Sequence, residues 1–391
     1  MSEGSSPDSG VHAGGAARSH EQVPHPAPTG SDGAPALLAP SEIRSIVSAL
    51  GINPTKKLGQ NFVHDAATVR RIVRDSGVGD GDCVVEVGPG LGSLTLGLLE
   101  AGAYVSAIEI DPVLAGALPA TIAHRAGGSA DHFAVVLRDA LKVGGVEDLA
   151  IPPAWQGRQG GSSESQGEPR KDDESPYFQP THLVANLPYN VAVPVLLTLL
   201  DVLPSLQFVT VMVQAEVADR LAAAPGSRTY GVPSVKAAWY GTARRGAKIA
   251  RSVFWPVPNV DSALVHMSLY GPGREYGSAG GLSPLRNSSA LVGSDERCGT
   301  HVTATGDDEA RNGIHQAHVM RQPCVAKSRV FEVIDAAFAQ RRKTLRAALS
   351  SWAGSASRAE AILKAARIDP GERGENLTID DFIAIACAHV D

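Results

Sequence analysis

Residues 83–102 read CVVEVGPGLGSLTLGLLEAG, a pattern that indicates a strand, a glycine-rich loop and a helix. Its first five residues have the apolar composition of a short buried strand, and residues 93–101 have a helical pattern. The loop between them is Gly88-Pro89-Gly90-Leu91-Gly92, whose glycines let the backbone turn tightly and approach a ligand closely. The GxGxG spacing after Glu86 fits S-adenosylmethionine better than a dinucleotide, because the methionine end has no diphosphate to cradle.

Strand and helix patterns alternate outward from this loop. Further strands are predicted at 104–109, 133–137, 182–186, 207–214 and 261–269. Helices are predicted at 41–50 with a serine cap, at 65–76 with Asp65 as the cap, and at 93–101, 111–124, 192–203 and 215–223. Such alternation predicts an α/β fold with a parallel, doubly wound, Rossmann-like sheet. From Lys327 onward only helical segments follow, at 328–339 and 359–366, so we expect a small C-terminal all-helical domain.

Three predicted strands end in side chains that suit a ligand. Glu109 ends the second strand, where a carboxylate can accept from both hydroxyls of a ribose. Asp139 follows the third strand and can accept from the amino group of an adenine. The alternative, that these acids only cap helices, is disfavoured because the fourth strand also ends in a ligand-type segment, Asn186-Leu187-Pro188-Tyr189-Asn190.

This fourth strand end has the groups that methyl transfer to an exocyclic amine requires. The lone pair of such an amine is conjugated with its ring, so acceptors on both N–H bonds favour a more nucleophilic nitrogen. The side-chain oxygen of Asn186 and the carbonyl of Leu187 can accept from them. Pro188 stiffens the loop, and Tyr189 offers a face on which a base can stack. An ordinary turn is the alternative interpretation.

The charge of the chain is unevenly distributed. The net charge of -6 and the pI near 6.1 argue against a generic nucleic-acid binder. However, three tracts rich in small and polar residues, 1–40, 156–178 and 271–325, account for all of that charge and are predicted to be disordered. Two basic clusters remain near aromatic residues, and a solvated face or a nucleic-acid surface would explain them. The clusters are Arg220, Arg228, Lys236, Arg244, Arg245, Lys248 and Arg251, and then Arg341, Arg342, Lys343 and Arg346.

Length and composition exclude several classes of protein. The 391 residues are 43% hydrophobic, enough for two or three domains with a sizeable core. No apolar run is long enough to span a membrane, and the first residues do not resemble a signal or transit peptide. The four cysteines form no CxxC pair, so we expect no zinc ribbon, no metal site and no disulfide scaffold. A reducing, cytoplasmic setting fits this composition.

The ordered motifs together resemble a known family, the small-subunit ribosomal RNA adenine dimethyltransferases. The resemblance covers roughly residues 41–155, 179–270 and 326–391. Its motifs are KLGQNFV at 57–63, EVGPGLG at 86–92, IEID at 108–111, NLPYN at 186–190, FWPVPNVDSA at 254–263, FAQRRKTL at 338–345 and the closing IDP and RGENL at 368–377. Val63 stands where the family commonly has leucine, and Trp255 stands where it has a small residue.

The resemblance implies a role for each matched position. The cofactor would be S-adenosyl-L-methionine. Its contacts would be Asn61, Val63, Gly88, Gly90, Glu109, Asp139 and Asn186. Asn186, Leu187, Pro188, Tyr189 and Phe254 would form the catalytic site, in which Tyr189 and Phe254 sandwich the flipped base. The basic clusters would grip RNA phosphates.

The implied reaction is dimethylation of the N6 amines of two adjacent adenines in a 3′-terminal hairpin loop of small-subunit rRNA. The expected partner is the immature small ribosomal subunit, and the enzyme is expected to be a monomer with no membrane contact. The expected domains are a disordered tail at 1–40, a methyltransferase domain at 41–270 with an insert at 156–178, a disordered insert at 271–325, and a helical RNA-binding domain at 326–391. A large-subunit rRNA methyltransferase of the macrolide-resistance type, a non-catalytic assembly factor and a DNA amine methyltransferase are the alternatives.

Overall fold

A computed structural model describes residues 35–52, 61–159, 177–270 and 325–389 of the chain. The strands are β1 Phe62–Val63, β2 Cys83–Val87, β3 Tyr104–Glu109, β4 Phe133–Leu137, β5 His182–Asn186, β6 Phe208–Gln214, β7 Gly241–Ile249, β8 Phe254–Trp255 and β9 Ser262–Leu269. The helices are α1 Pro40–Ala49, α2 Ala66–Ser76, α3 Ser93–Glu100, α4 Pro112–Arg125, α5 Pro153–Gln159, α6 Ala192–Val202, α7 Ala215–Leu221, α8 Val232–Ala238, α9 Lys327–Ala339, α10 Leu345–Ala348, α11 Ala356–Ala365 and α12 Ile379–Ala388. Most of the tail and nearly all of both predicted inserts lie outside the described residues, as do residues 57–60 of the KLGQNFV motif.

Seven of the described strands form one sheet in the order β4-β3-β2-β5-β6-β9-β7. The first five of these pair in parallel, as predicted, whereas β9 pairs antiparallel with both β6 and β7. The prediction of an all-parallel sheet is therefore wrong at this edge. The chain runs outward from β2 through β3 to β4 and then returns to β5 on the other side. This reversal places the ligand crevice at the carboxyl ends of β2 and β5.

The ends of the helices test the predicted caps. Asp65 and Asp111 accept hydrogen bonds from backbone N–H groups in the first turns of α2 and α4, which confirms the Asp65 cap. The predicted serine cap of α1 is wrong, because the capping position is Ala39, whose N–H donates to Glu42 Oε2 at 2.7 Å. Residues 35–39, which were predicted to belong to the tail, pack against the fold. Leu38 is buried there.

Sequence reasoning missed strand β7, which carries Arg244, Arg245 and Lys248. Strand β7 has the sequence GTARRGAKI, whose polar residues hide the strand pattern, and it lies at the outer edge of the sheet. The short ribbon of β1 and β8 was also missed, since each strand has two residues. This ribbon brings Phe62 and Val63 against the segment around Phe254 although nearly two hundred residues separate them.

Helices α9 to α12 form the predicted helical region around a core of their own. Tyr230, which precedes α8, joins this core and donates a hydrogen bond to the carbonyl of Leu377 at 2.8 Å. In the described part of the chain, no helix is long and apolar enough to cross a membrane.

Candidate active site

The carboxyl ends of the parallel strands surround a cavity, at the position where open α/β sheets bind their ligands. All the predicted cofactor residues line it, namely Asn61, Val63, Gly88, Gly90, Glu109, Asp139 and Asn186. They come from five separate segments of the chain. Because their positions in the sequence span more than a hundred residues, their meeting at one crevice is a consequence of the sheet order.

The glycine loop forms one wall of the cavity in a conformation that favours glycine. Gly88, Gly90 and Gly92 have φ values of 66°, 59° and 91°, in the left-handed region. A Cβ on Gly90 would lie 3.0 Å from the ring of Phe62, so a side chain there would also crowd β1. The N–H of Gly88 donates to the carbonyl of Ile108 at 2.9 Å, which ties the loop to the end of β3.

Glu109 at the end of β3 is held by three backbone N–H groups. Gly90 donates to Oε2 at 3.1 Å, while Ile110 and Asp111 donate to Oε1 at 2.9 and 3.0 Å. These bonds orient the carboxylate toward the glycine loop, where a ribose would be held by its hydroxyls. Burial raises the pKa of Glu109, and the backbone donors counteract part of that rise.

Asp139, which follows β4, also lines the cavity. Its Oδ1 accepts from the N–H of Leu141 at 3.0 Å, and the residue is partly exposed. Next to it, Arg138 lines the cavity as well but is paired with Asp148 at 2.8 Å. Asp139 therefore caps a turn and also lines the cavity. Its position is compatible both with a capping role and with binding a ligand.

Glu86 is a cavity residue to which the sequence analysis assigned no role. It is 1% exposed, and burial raises its pKa to about 8, so the carboxyl keeps its proton near neutral pH. Thr95 Oγ1 donates to Glu86 Oε2 at 2.7 Å. A glutamate within an otherwise apolar five-residue strand is the signal that could have identified it.

The Asn186–Tyr189 loop is held by bonds at both ends. Asn186 Nδ2 donates to the carbonyl of Asn61 at 3.0 Å, and the N–H of Leu187 donates to the carbonyl of Met212 at 3.1 Å. Tyr189 shares a hydrogen bond of 2.6 Å between its hydroxyl and Ser262 Oγ. With its amide nitrogen occupied in this way, Asn186 keeps Oδ1 as an acceptor.

The described structure places the predicted catalytic residues at different depths. Asn186 and Pro188 line the cavity, Tyr189 is partly exposed, and the Leu187 side chain is buried. Phe254 is fully buried, opposite Val63 in the small ribbon, so its ring presents no exposed face to a base here. The stacking role that the resemblance implies for Phe254 stays a prediction, and in this structure its side chain packs in the core.

The eleven predicted RNA-binding cations fall into two groups. Seven pair with carboxylates: Arg220, Lys236, Arg245, Lys248, Arg251, Arg341 and Arg346. Four are exposed and have no carboxylate partner in the part of the chain that the structure describes: Arg228, Arg244, Arg342 and Lys343. Arg341 also donates to the carbonyl of Arg228 at 2.7 Å, which brings the segments of three unpaired cations together.

A sequence profile described as ribosomal RNA adenine dimethylase matches residues 52–272. The chain belongs to this family. The match includes the glycine loop, the ends of β3 and β4 and the Asn186 loop, so it covers the cavity described above. The resemblance to the ribosomal RNA adenine dimethyltransferases is thereby confirmed, and the cofactor of this dimethylase is S-adenosyl-L-methionine.

Relatives of this dimethylase are similar along most of their length. "Ribosomal RNA small subunit methyltransferase A" of Streptomyces avermitilis is 50% identical over 351 residues, which is 90% of this chain and 93% of that protein. The protein of the same name from Corynebacterium jeikeium is 49% identical over 350 residues, 90% and 95% of the two chains. A dimethyladenosine transferase from Plasmodium falciparum shares the fold, with a TM-score of 0.54 at 17% identity over 83% of this chain and 95% of that one.

The described residues hold no group of three or more histidine, cysteine, aspartate or glutamate side chains that could bind a metal ion. Methyl transfer from S-adenosylmethionine requires none.

Proposed function

We propose that this enzyme transfers methyl groups from S-adenosylmethionine to the N6 amines of two adjacent adenines in a 3′-terminal hairpin loop of small-subunit rRNA. The observation that carries the proposal is the anchored amide of Asn186 at the cofactor cavity. It supplies an acceptor beside the place where a methyl group would be presented. The names of the relatives, which are half identical to this chain, support the small-subunit substrate.

The residues of the cavity fit the cofactor. Glu109 would accept from the ribose hydroxyls, Asp139 from the adenine amine, and the glycine loop would lie against the methionine end. When bound, the cofactor supplies an electrophilic methyl group on a sulfonium centre. The cavity therefore offers two acids to the ribose hydroxyls and the adenine amine of the cofactor.

The protein's own contribution is to position the target amine and enhance its nucleophilicity. Asn186 Oδ1 and the Leu187 carbonyl would accept the two N–H bonds, which favours a tetrahedral nitrogen whose lone pair points toward the methyl group. Since Leu187 N–H is bonded to Met212 and Asn186 Nδ2 to Asn61, both acceptors sit on a fixed backbone. Such preorganisation avoids reorientation during the reaction.

Tyr189 would provide the stacking face, and its hydroxyl would not act as a base. Burial raises the pKa of Tyr189, so the phenol stays neutral at physiological pH, bonded to Ser262. No strong base is required, because the amine becomes cationic as the methyl group arrives and then loses its proton readily to water. Stacking on Tyr189 would contribute roughly 1–3 kcal/mol to holding the base.

The proposal extends to the rest of the chain. The methyltransferase domain would span residues 41–270, and residues 326–391 would form the helical RNA-binding domain. The basic clusters would contact phosphates, chiefly through the four cations that lack carboxylate partners. We further propose that the enzyme acts as a monomer in the cytoplasm on immature small subunits.

The decisive experiment incubates the enzyme and cofactor with small subunits that lack the modification, and locates dimethyladenosine by mass spectrometry of rRNA fragments. We expect two dimethyladenosines per subunit with the wild type, and methylation slowed by roughly 10²–10³-fold with Asn186→Ala. Large subunits incubated in parallel test the macrolide-resistance alternative. Dimethyladenosine on large-subunit RNA alone would overturn the proposed substrate, and no methylation of any RNA would favour a non-catalytic assembly factor.

A further inference from the structure

The hydroxyl of Tyr189 is bonded to a residue that lies two strands away in the sheet. Tyr189 follows β5, whereas Ser262 is the first residue of β9, and β6 lies between these two strands. The two hydroxyl oxygens are 2.6 Å apart, a short hydrogen bond in which either can donate. The side chain of Tyr189 therefore reaches past the end of β6, and its hydroxyl is fixed as well as its backbone.

Ser262 has a rigid support. Its backbone pairs with Gln214 of β6 on one side and with Ile249 of β7 on the other, and the residue is fully buried. The carbonyl of the preceding residue, Asp261, accepts from the N–H of Ala215 at 2.9 Å. Because side chains in a packed interior have little freedom, the oxygen of Ser262 can fix the position of a group bonded to it.

A buried serine hydroxyl can be satisfied without a distant side chain. Ser76 and Ser205 donate to backbone carbonyls at 2.6 and 2.8 Å, which satisfies their hydroxyls. The partner of Ser262 is instead the side chain of a residue 73 positions away, on the loop that begins with Asn186. The contact therefore links β9 to the loop that carries the proposed catalytic groups.

The orientation of the Tyr189 ring decides how a stacked base is presented. A tyrosine ring has two side-chain torsions, and a hydrogen bond at its far end restricts both of them. A base that stacks on the ring lies parallel to it, so the angle of the ring sets the direction of the exocyclic amine. The acceptors for that amine, Asn186 Oδ1 and the Leu187 carbonyl, are themselves on a fixed backbone, and a rotated ring would turn the amine away from them.

We propose that Ser262 is a positioning residue, whose hydroxyl holds the ring of Tyr189 at the angle that aligns the target amine with Asn186 and Leu187. The inference rests on the proposed function for the target base, an adenine that stacks on Tyr189, and it does not depend on which RNA carries that adenine. Ser262 does not line the cofactor cavity, so its effect would be on the target base and not on the cofactor.

A double-mutant cycle tests this inference. Ser262→Ala should lower the maximum single-turnover rate of small-subunit methylation roughly three- to tenfold, the effect of one lost hydrogen bond between neutral groups. Tyr189→Phe keeps the stacking ring but removes the same hydrogen bond, so it should cause a similar loss. The double variant should be no slower than the slower single variant, because both changes remove one interaction.

Two further measurements separate positioning from a role in stability alone. The Kd for S-adenosylmethionine should stay unchanged in all three variants, since neither residue lines the cavity. The enzyme concentration that gives half of the maximum rate should change little, because contacts with phosphates supply most of the affinity for RNA. The loss should therefore appear in the maximum rate.

Thr210→Val is the matched control. Thr210 is buried in β6, and its Oγ1 lies 2.9 Å from Nδ1 of His266, the residue opposite it in β9. This bond joins the same two strands that flank the Tyr189 contact, but Thr210 does not line the cavity. The variant should unfold at a lower urea concentration than the wild type and methylate at the wild-type rate while it is folded.

Three results would overturn the inference: an unchanged rate in Ser262→Ala, losses in the two single variants that multiply in the double variant, or an equal loss in Thr210→Val. If the wild type methylates only large-subunit RNA, the proposed substrate is wrong, and the same cycle on that RNA decides the inference. If the wild type methylates no RNA, both proposals are wrong. Normal methylation by both the wild type and Ser262→Ala contradicts the inference alone.

Discussion

The amide of Asn186 is the single group on which the proposed chemistry depends most. Its Nδ2 is occupied by the carbonyl of Asn61, so replacement by alanine removes the acceptor for the target amine while the acids that hold the cofactor remain. We expect Asn186→Ala to lower kcat by roughly 10²–10³-fold, as for a lost donor or acceptor in other preorganised sites. Single-turnover methylation of small subunits measures this, and titration should show a nearly unchanged Kd for S-adenosylmethionine.

Asn190→Ala in the same loop is the control for that experiment, since Asn190 is exposed and does not line the cavity. It should methylate at close to the wild-type rate. Normal turnover at saturating cofactor in Asn186→Ala, combined with weak cofactor binding, would instead assign Asn186 to cofactor binding alone.

Glu86 makes the stability of the protein depend on pH. Its pKa is raised from an ordinary value near 4.5 to about 8 in the folded state, chiefly by burial. Between these values the folded protein holds a proton that the unfolded chain has released, so the free energy of unfolding falls as the pH rises. Glu86→Gln keeps an acceptor for Thr95 and removes the titration. Relative to the wild type, we expect the free energy of unfolding of Glu86→Gln to increase between pH 5 and pH 8 by on the order of a few kcal/mol. At pH 8 the variant should be the more stable of the two proteins.

Urea unfolding of both proteins from pH 5 to 8 measures this difference. Glu109 has a pKa raised in the same direction, so Glu86→Gln should flatten the pH dependence without abolishing it. Parallel curves for the two proteins would show that Glu86 is ionised in the folded state.

At the scale of secondary-structure elements, the sequence was most informative where burial or a cap leaves a local pattern. Strands β2, β3, β4 and β5 were predicted with their observed bounds because each is a short apolar run between turn signals. Strand β7 was missed because its basic side chains interrupt that pattern, and the antiparallel edge arises from tertiary pairing that alternation does not reveal. The cavity could be predicted from the ends of the strands, whereas the hydrogen bond from Asn186 Nδ2 to the carbonyl of Asn61 could not, because it joins segments far apart in the sequence.

The cations of the C-terminal region differ in whether they pair with a carboxylate. This difference predicts which of them contact RNA phosphates. Arg342 is exposed and has no carboxylate partner in the described protein, while Arg346 in α10 pairs with Glu360 at 3.0 Å. We expect Arg342→Gln to weaken binding to small-subunit RNA and to reduce the salt dependence of log K by about 0.7–0.9, the contribution of one phosphate contact. Arg346→Gln, the control, should change both less, because Glu360 already neutralises that charge.

Affinity measured over a series of salt concentrations distinguishes the two variants. Equal losses of affinity and slope would mean that the Glu360 pair opens when RNA binds. In that case the ion pairs observed here would not mark which cations contact phosphate.

At the largest scale, Phe331 is one of the aromatic residues that join the helical region to the rest of the chain. Phe331 of α9 packs edge-on against Trp239 and Tyr240, with ring centroids 6.1 and 6.5 Å apart. Lys236 and Lys327 lie over its ring at 5.0 and 5.7 Å from the centroid. These lysines also pair with carboxylates on opposite sides of the same junction, so the orientation of the helical region depends on this cluster.

We therefore expect Phe331→Ala to lower the free energy of unfolding by about 2 kcal/mol, less than for a fully buried phenylalanine. Methylation of small subunits should fall because the RNA-binding surfaces lose their fixed relation, while the Kd for S-adenosylmethionine stays unchanged. Phe208→Ala is the control, since Phe208 is 44% exposed and stacks only on His182 among the ring contacts of the described chain. Both variants are assayed at a urea concentration at which they are still folded. If Phe331→Ala methylates subunits there at the wild-type rate, the helical region acts without a fixed orientation to the sheet. If it loses methylation there but still binds the cofactor, RNA recognition depends on this junction.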